Sequence, residues 1–101
     1  MKMPFHINAS VEFYPTEKGG RNGNTPADKF KCLFQFQAGV FDCVLDLKGI
    51  GSIAPGAIVT VPILFVRPEL VESKMKIGDR FQLREVDIIA EGNIVQLVQA
   101  K

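Results

Sequence analysis

Polar and apolar side chains alternate along much of this chain, and a period of two is the pattern of a strand with one buried face. Phe5, Ile7, Ala9, Val11 and Phe13 interleave with His6, Asn8, Ser10, Glu12 and Tyr14, and Pro15 closes the segment. Residues 16–29 then collect Gly, Asn, Thr, Pro and charges, which predicts a long exposed loop. Loops of that length inside a compact domain are usually functional or mobile. Alternation resumes at Phe30, with Cys32, Phe34 and Phe36 on one face and Lys31, Leu33, Gln35 and Gln37 on the other. Ala38-Gly39 reads as a tight turn, after which Phe41, Cys43, Leu45 and Leu47 oppose Val40, Asp42, Val44 and Asp46. The two runs predict a hairpin with an aromatic-rich inner face.

Residues 48–56 hold three Gly and end in the turn dipeptide Pro55-Gly56. The next ten residues, 57–66, are almost wholly apolar apart from Thr60, and Pro62 interrupts them. Proline donates no ladder hydrogen bond, so it points to an edge strand or a bulge. With Ala57, Val59, Val61, Ile63 and Phe65 turned inward, Ile58, Leu64 and Val66 are left outside as a candidate apolar contact surface. After the Pro68 turn, a short basic loop ends at Gly78. Phe81 and Leu83 then alternate with Arg80, Gln82 and Arg84, and a last strand runs from Ile88 or Asn93 to Gln99. Glu85 falls on the apolar parity, so either the strand stops there or its carboxylate is paired. The reading is all-β, with six strands, no helix and no internal repeat.

The chain has 101 residues, 47% of them hydrophobic, which suits one domain with one modest core. Its 12 Lys and Arg against 11 Asp and Glu leave a net charge of +1. Such a balance gives no global attraction to nucleic acid or to an anionic membrane, so any such contact must come from a local cluster. No apolar run approaches the roughly 18 residues of a membrane span. The N-terminal Met1-Lys2-Met3-Pro4-Phe5-His6 lacks the apolar core and small-residue cleavage site of a secretory signal, so a cytoplasmic location is expected. Cys32 and Cys43 are too few for a disulfide framework and match no zinc spacing; they read as reduced core thiols, with a bridge between them left open.

No catalytic constellation emerges. Gly49-Ile50-Gly51 lacks the third glycine and following helix of a nucleotide fingerprint, and the P-loop pattern is absent, so neither a nucleotide nor any cofactor or metal is expected. His6 lies on the polar parity of its strand and reads as a surface histidine; Asp42 and Asp46 read as solvating charges. The Gly19-Gly20-Arg21 segment is richer. Two glycines permit positive φ, and their N–H groups with Arg21 and nearby Lys18 would suit a phosphate. Arg80 and Arg84 share a strand face and would either follow a nucleic-acid backbone or pair with neighbouring acids.

These segments, taken in order, resemble one known family. Gly19-Gly20-Arg21 with Thr25-Pro26, the Phe34-x-Phe36 strand and its return through Leu47, Pro55-Gly56, the Pro68 turn, and Arg80-Phe81 with Leu83-Arg84-Glu85 are similar to the third, C-terminal β-barrel domain of translation elongation factor Tu. The likeness covers residues 6–98 and includes nothing of that factor's GTPase domain. It implies a six-stranded closed antiparallel β-barrel with no chemistry of its own. In that family the domain grips the T-stem side of aminoacyl-tRNA and contacts the GTPase domain and the exchange factor. Carried over, the tRNA-facing positions are Arg21, Thr25, Arg84 and Glu85.

The chain departs from the family where Asn22-Gly23-Asn24 lengthens the first loop and where Val86-Asp87-Ile88-Ile89 replaces a Gly-Gly-Arg-Thr continuation. An acidic residue therefore stands in what would be half of a phosphate grip. The expected function is a non-catalytic, stand-alone module that engages a protein partner, its most concrete version being a translation-factor mimic or a toxin-immunity or decoy protein. The alternative is an RNA-binding module making a weak, salt-dependent contact with the tRNA acceptor and T-stem.

Overall fold

The computed structural model describes residues 5–37 and 39–99; residues 1–4 of the N-terminal stretch weighed above, Ala38 of the expected turn and residues 100–101 lie outside the described residues. Six strands form where the alternation placed them: β1 (His6–Phe13), β2 (Lys29–Phe36), β3 (Gly39–Asp46), β4 (Ile58–Phe65), β5 (Arg80–Arg84) and β6 (Ile88–Val98). They close into an antiparallel barrel in the order β1-β4-β3-β2-β5-β6, with β6 returning to β1. Closure leaves no strand at a free outer edge of a sheet.

The inward residues are the ones the pattern selects. Phe5, Ile7, Ala9, Val11 and Phe13 of the first strand region, Phe30, Cys32, Phe34 and Phe36 of β2, and Cys43 and Leu45 of β3 are all buried. Phe34 sits among other rings: its centroid is 4.3 Å from Phe81, 5.0 Å from Phe65 and 6.1 Å from Phe36. Rings from β2, β4 and β5 thus meet inside one wall.

Ladder lengths are uneven. β2 and β3 pair across all eight residues, from Lys29 opposite Asp46 to Phe36 opposite Gly39, so the turn is one position earlier than expected and begins at Gln37, whose φ is 54°. By contrast β2 pairs β5 only over Leu33, Phe34 and Gln35, and β3 pairs β4 only over Cys43, Val44 and Leu45. Pro62 explains the second short ladder. Leu64 lies opposite Val44, so Pro62 falls where it would exchange bonds with Asp46, and it has no N–H to give. β4 is therefore neither an edge strand nor bulged at Pro62; it pairs β1 from Glu12 opposite Ile58 to His6 opposite Leu64, and only its β3 side opens.

Three further features depart from the sequence reading. His6 lies on the outward parity yet is only 8% exposed, because Leu64 and Val98 flank it on the two neighbouring strands. β6 starts at Ile88 and breaks its own alternation: Leu83 faces Ala90 and Arg84 faces Ile88, which leaves Ile89 as an extra residue, while Val95 is the extra one opposite the Asn8/Ala9 step. Such insertions bend and twist a strand. The segment between β4 and β5 is not a bare loop but holds two 3₁₀ turns, Pro68–Leu70 and Glu72–Lys74, that set Val71 and Met75 into the core. A third 3₁₀ turn, Thr16–Lys18, follows β1.

Phe34 should be the costliest single truncation. Phe34→Ala is expected to lose about 3–5 kcal/mol in urea unfolding, as for a fully buried aromatic; a loss under about 1 kcal/mol would contradict its central position.

Candidate functional site

The antiparallel order gathers the 14–28 loop, the 47–57 segment and the 85–87 turn at one end of the barrel. Lys18, Gly19, Gly20, Arg21, Thr25, Arg84 and Glu85 therefore come to one end, and Arg80 does not. Arg80 starts β5 at the opposite end and bonds Glu91 of β6, Nη2 to Oε2, at 2.9 Å.

At this end the two glycine amides have partners within the loop. The Gly19 N–H is bonded to Thr16 O at 3.2 Å and the Gly20 N–H to Pro15 O at 3.0 Å, so neither amide is free for an anion. Both glycines are needed by the turn. Gly19 has φ 93°, in the left-handed region, and a Cβ on Gly20 would strike the Tyr14 carbonyl. The Gly-Gly pair folds the loop back onto the end of β1, with exposed Lys18 as part of the same turn.

Thr25 is also a structural residue. It is 3% exposed; its N–H bonds Ile53 O at 2.9 Å and its Oγ1 accepts the Ile53 N–H at 2.9 Å. This two-way clasp ties the first loop to the 47–57 segment and seats Ile53 in the core. Thr25, carried over by the resemblance as a tRNA-facing position, is buried here with its N–H and Oγ1 both bonded to Ile53.

Arg21 is held from three sides. Its Nε lies 3.1 Å from Glu85 Oε1, its Nη1 donates to Asn24 O at 3.3 Å, and its guanidinium carbon is 4.8 Å from the Phe30 ring centre. A planar cation stacked on an aromatic face and bonded along its edge is well fixed. Both alternatives for Glu85 hold together: β5 ends at Arg84, and the Glu85 carboxylate is paired. Arg84 donates from Nη1 to Gln35 Oε1 at 3.1 Å and from Nη2 to Val86 O at 3.0 Å.

The outer wall carries contacts that the sequence reading missed. Glu91 accepts from Tyr14 Oη at 2.8 Å as well as from Arg80, and Gln35 is bonded to Gln82 at 3.3 Å. Partial burial, with the Glu91 hydrogen bond and charge adding to it, raises the Tyr14 phenol above its ordinary 10.0. Each of these bonds joins residues far apart in the chain, and only the register shows that they touch.

The apolar surface is split. Ile58 is 68% and Val66 61% exposed, while Leu64 is half-buried. Ile58 lies about 20 Å along β4 from Leu64 at roughly 3.4 Å per residue, so it belongs to the other end. Leu64 and Val66 instead adjoin β3: Leu64 lies opposite Val44, and the Val66 N–H bonds Asp42 O at 3.1 Å. With Leu33 opposite Asp42 and outward Val40, they surround the exposed Asp42 on β2, β3 and β4, and Lys31 adjoins them opposite Val44.

These features define the chain as an all-β protein, a six-stranded closed antiparallel barrel with a clasped loop end and exposed apolar residues around Asp42 on one wall. In comparisons with protein families and with curated proteins, nothing matches the chain. Among the described residues, no helix is long and apolar enough to cross a membrane, and no three His, Cys, Asp or Glu side chains gather as a metal site.

Two outcomes test this end and the polar wall. Thr25→Val should cost about 1–3 kcal/mol, since it leaves the buried Ile53 N–H without its acceptor; unchanged stability would mean that the clasp does not form. Ultraviolet titration of the single tyrosine should give a midpoint above 10.0 that falls back in Glu91→Gln. Because the folded value is raised, the protonated phenol's stabilisation is fully present below about pH 10 and is lost as pH rises through the folded value; Tyr14→Phe should flatten that alkaline loss.

Proposed function

We propose that this chain is a non-catalytic binding module that docks a protein partner on the outer wall of β2, β3 and β4. The observation that carries the reading is the patch of Leu33, Val40, Val44, Leu64 and Val66, in which Val40 is 50% and Val66 61% exposed. Exposed apolar side chains grouped around a single carboxylate, Asp42, suit a partner that offers an apolar contact with a cation at its middle. The resemblance to the third domain of elongation factor Tu favours the same class, a barrel that works by contact, and a translation-factor mimic or decoy is the form it would take.

The tRNA alternative draws less support. Nucleic-acid binding needs cations free to meet phosphates. Here Arg21, Arg80 and Arg84 each bond a side chain of the protein itself, and the Gly19 and Gly20 amides are bonded within the loop.

Binding measurements separate the two. A partner identified by affinity capture and then purified should lose about tenfold or more in affinity for Leu64→Asp and Val66→Asp, while Ile58→Asp, outside the patch, changes little. Total tRNA should bind only in the weak non-specific range, with affinity falling steeply as salt rises. A tight, saturable tRNA complex at physiological salt that Arg21→Ala removes would overturn the proposal in favour of RNA.

A further inference from the structure

Cys32 and Cys43 face each other directly across β2 and β3, with their sulfurs 3.6 Å apart. The bond from Leu47 N–H to Asp28 O sets the phase of the ladder, and alternation from there makes Cys32 and Cys43 a hydrogen-bonded pair. Facing residues at such positions have Cα atoms about 5.5 Å apart, within the span that a disulfide prefers. The Cβ atoms of a hydrogen-bonded pair stand about 5.5 Å apart, beyond the roughly 3.5–4.5 Å of a disulfide, so bridging draws the two strands together locally as well as rotating the side chains.

The two thiols differ in access. Cys43 is 2% exposed, and its hydrogen bond with Cys32, together with burial, pushes its thiol up. Cys32 is 9% exposed and lies one residue past the end of the β2–β5 ladder, which stops at Leu33 opposite Arg84. Continuing that register, Glu85 would pair with Cys32. Instead the Glu85 N–H turns to Asp87 O, and its carboxylate bridges the opening to Arg21 above Phe30. The wall beside Cys32 is therefore closed by side chains and not by a backbone ladder.

We propose that Cys32 and Cys43 are a peroxide-oxidisable dithiol, with Cys32 the attacking and Cys43 the resolving residue. The Cys32 thiolate attacks one oxygen of hydrogen peroxide, the O–O bond breaks, and the departing hydroxide takes a proton to become water. Cys32 is left as the sulfenic acid. The Cys43 sulfur then attacks the Cys32 sulfur, the S–O bond breaks, and hydroxide leaves with the Cys43 proton as a second water. Two thiols have lost two electrons and the peroxide has gained them. A dithiol reductant reverses the bridge by exchange.

The site goes beyond the docking surface and does not depend on it. Folded protein treated with hydrogen peroxide in native buffer, then denatured and alkylated without reductant, should show loss of both alkylation sites, a mass lower by two hydrogens, and no covalent dimer. Its thermal midpoint should rise by several degrees and return with dithiothreitol, because a bridge restricts the unfolded chain. Cys43→Ala should leave a Cys32 sulfenic acid that dimedone traps when added together with the denaturant, and Cys32→Ala should leave Cys43 unreacted. Glu85→Gln should speed bridging by loosening the closure. Wild-type protein that keeps both thiols, or that carries Cys32 to sulfinic acid without a bridge, overturns the proposal.

Discussion

The barrel depends most on Phe34. Two of its six seams, β2 with β5 and β3 with β4, are ladders of only three residues, so backbone bonding there is weak. Phe34 stacks on Phe81 of β5 and meets Phe65 of β4 edge-on, so one side chain spans both weak seams from inside. Aromatic pairs add to the burial of their area. The long ladders of β1 with β4 and β6, and of β2 with β3, then hold the remaining wall. What opens outward along the short seams is side chain: the Arg21–Glu85 pair beside β2, and the apolar patch beside β3 and β4.

That division of labour separates the two ends of the molecule. The 3₁₀-turn segment at one end places Val71 and Met75 in the core, and Lys74 Nζ lies 5.9 Å from the Phe41 ring centre. The other end is closed by hydrogen bonds, with Thr25 clasping Ile53 and the Gly19-Gly20 turn folded on Tyr14 and Pro15. Charges there are paired where they are only partly exposed, which makes them worth more as positioning contacts than as stability. Gly19, Gly20 and Thr25, which look poised for a ligand in the sequence, bond the protein's own backbone, and Arg21, Arg80 and Arg84 bond its side chains.

The strands and the core were legible because a half-buried strand writes its two faces in alternate residues. Phe13, Phe34, Phe36, Leu45, Phe65, Phe81 and Leu83 all read correctly as interior. Parity fails where a position depends on other strands. His6 has outward parity but is buried beside Leu64 and Val98, and the extra residues Ile89 and Val95 shift the phase of β6. Site residues were harder still. Thr25 and Gly20 have the composition of a binding loop, and only the contact with Ile53 and the close approach to Tyr14 show that the loop needs them for itself. The grouping of Ile58 with Leu64 and Val66 followed outward parity, which is silent on distance along the strand.

Residue-resolved hydrogen exchange tests most directly whether the Arg21 end is a structural clasp. In the free protein the amides of Gly20 and Ile53, bonded to Pro15 O and Thr25 Oγ1, should be protected well above the rates of an open loop. Thr25→Val should remove the protection at Ile53. Exchange of both wild-type amides at open-loop rates would contradict the account, because it would leave those N–H groups free to meet a phosphate.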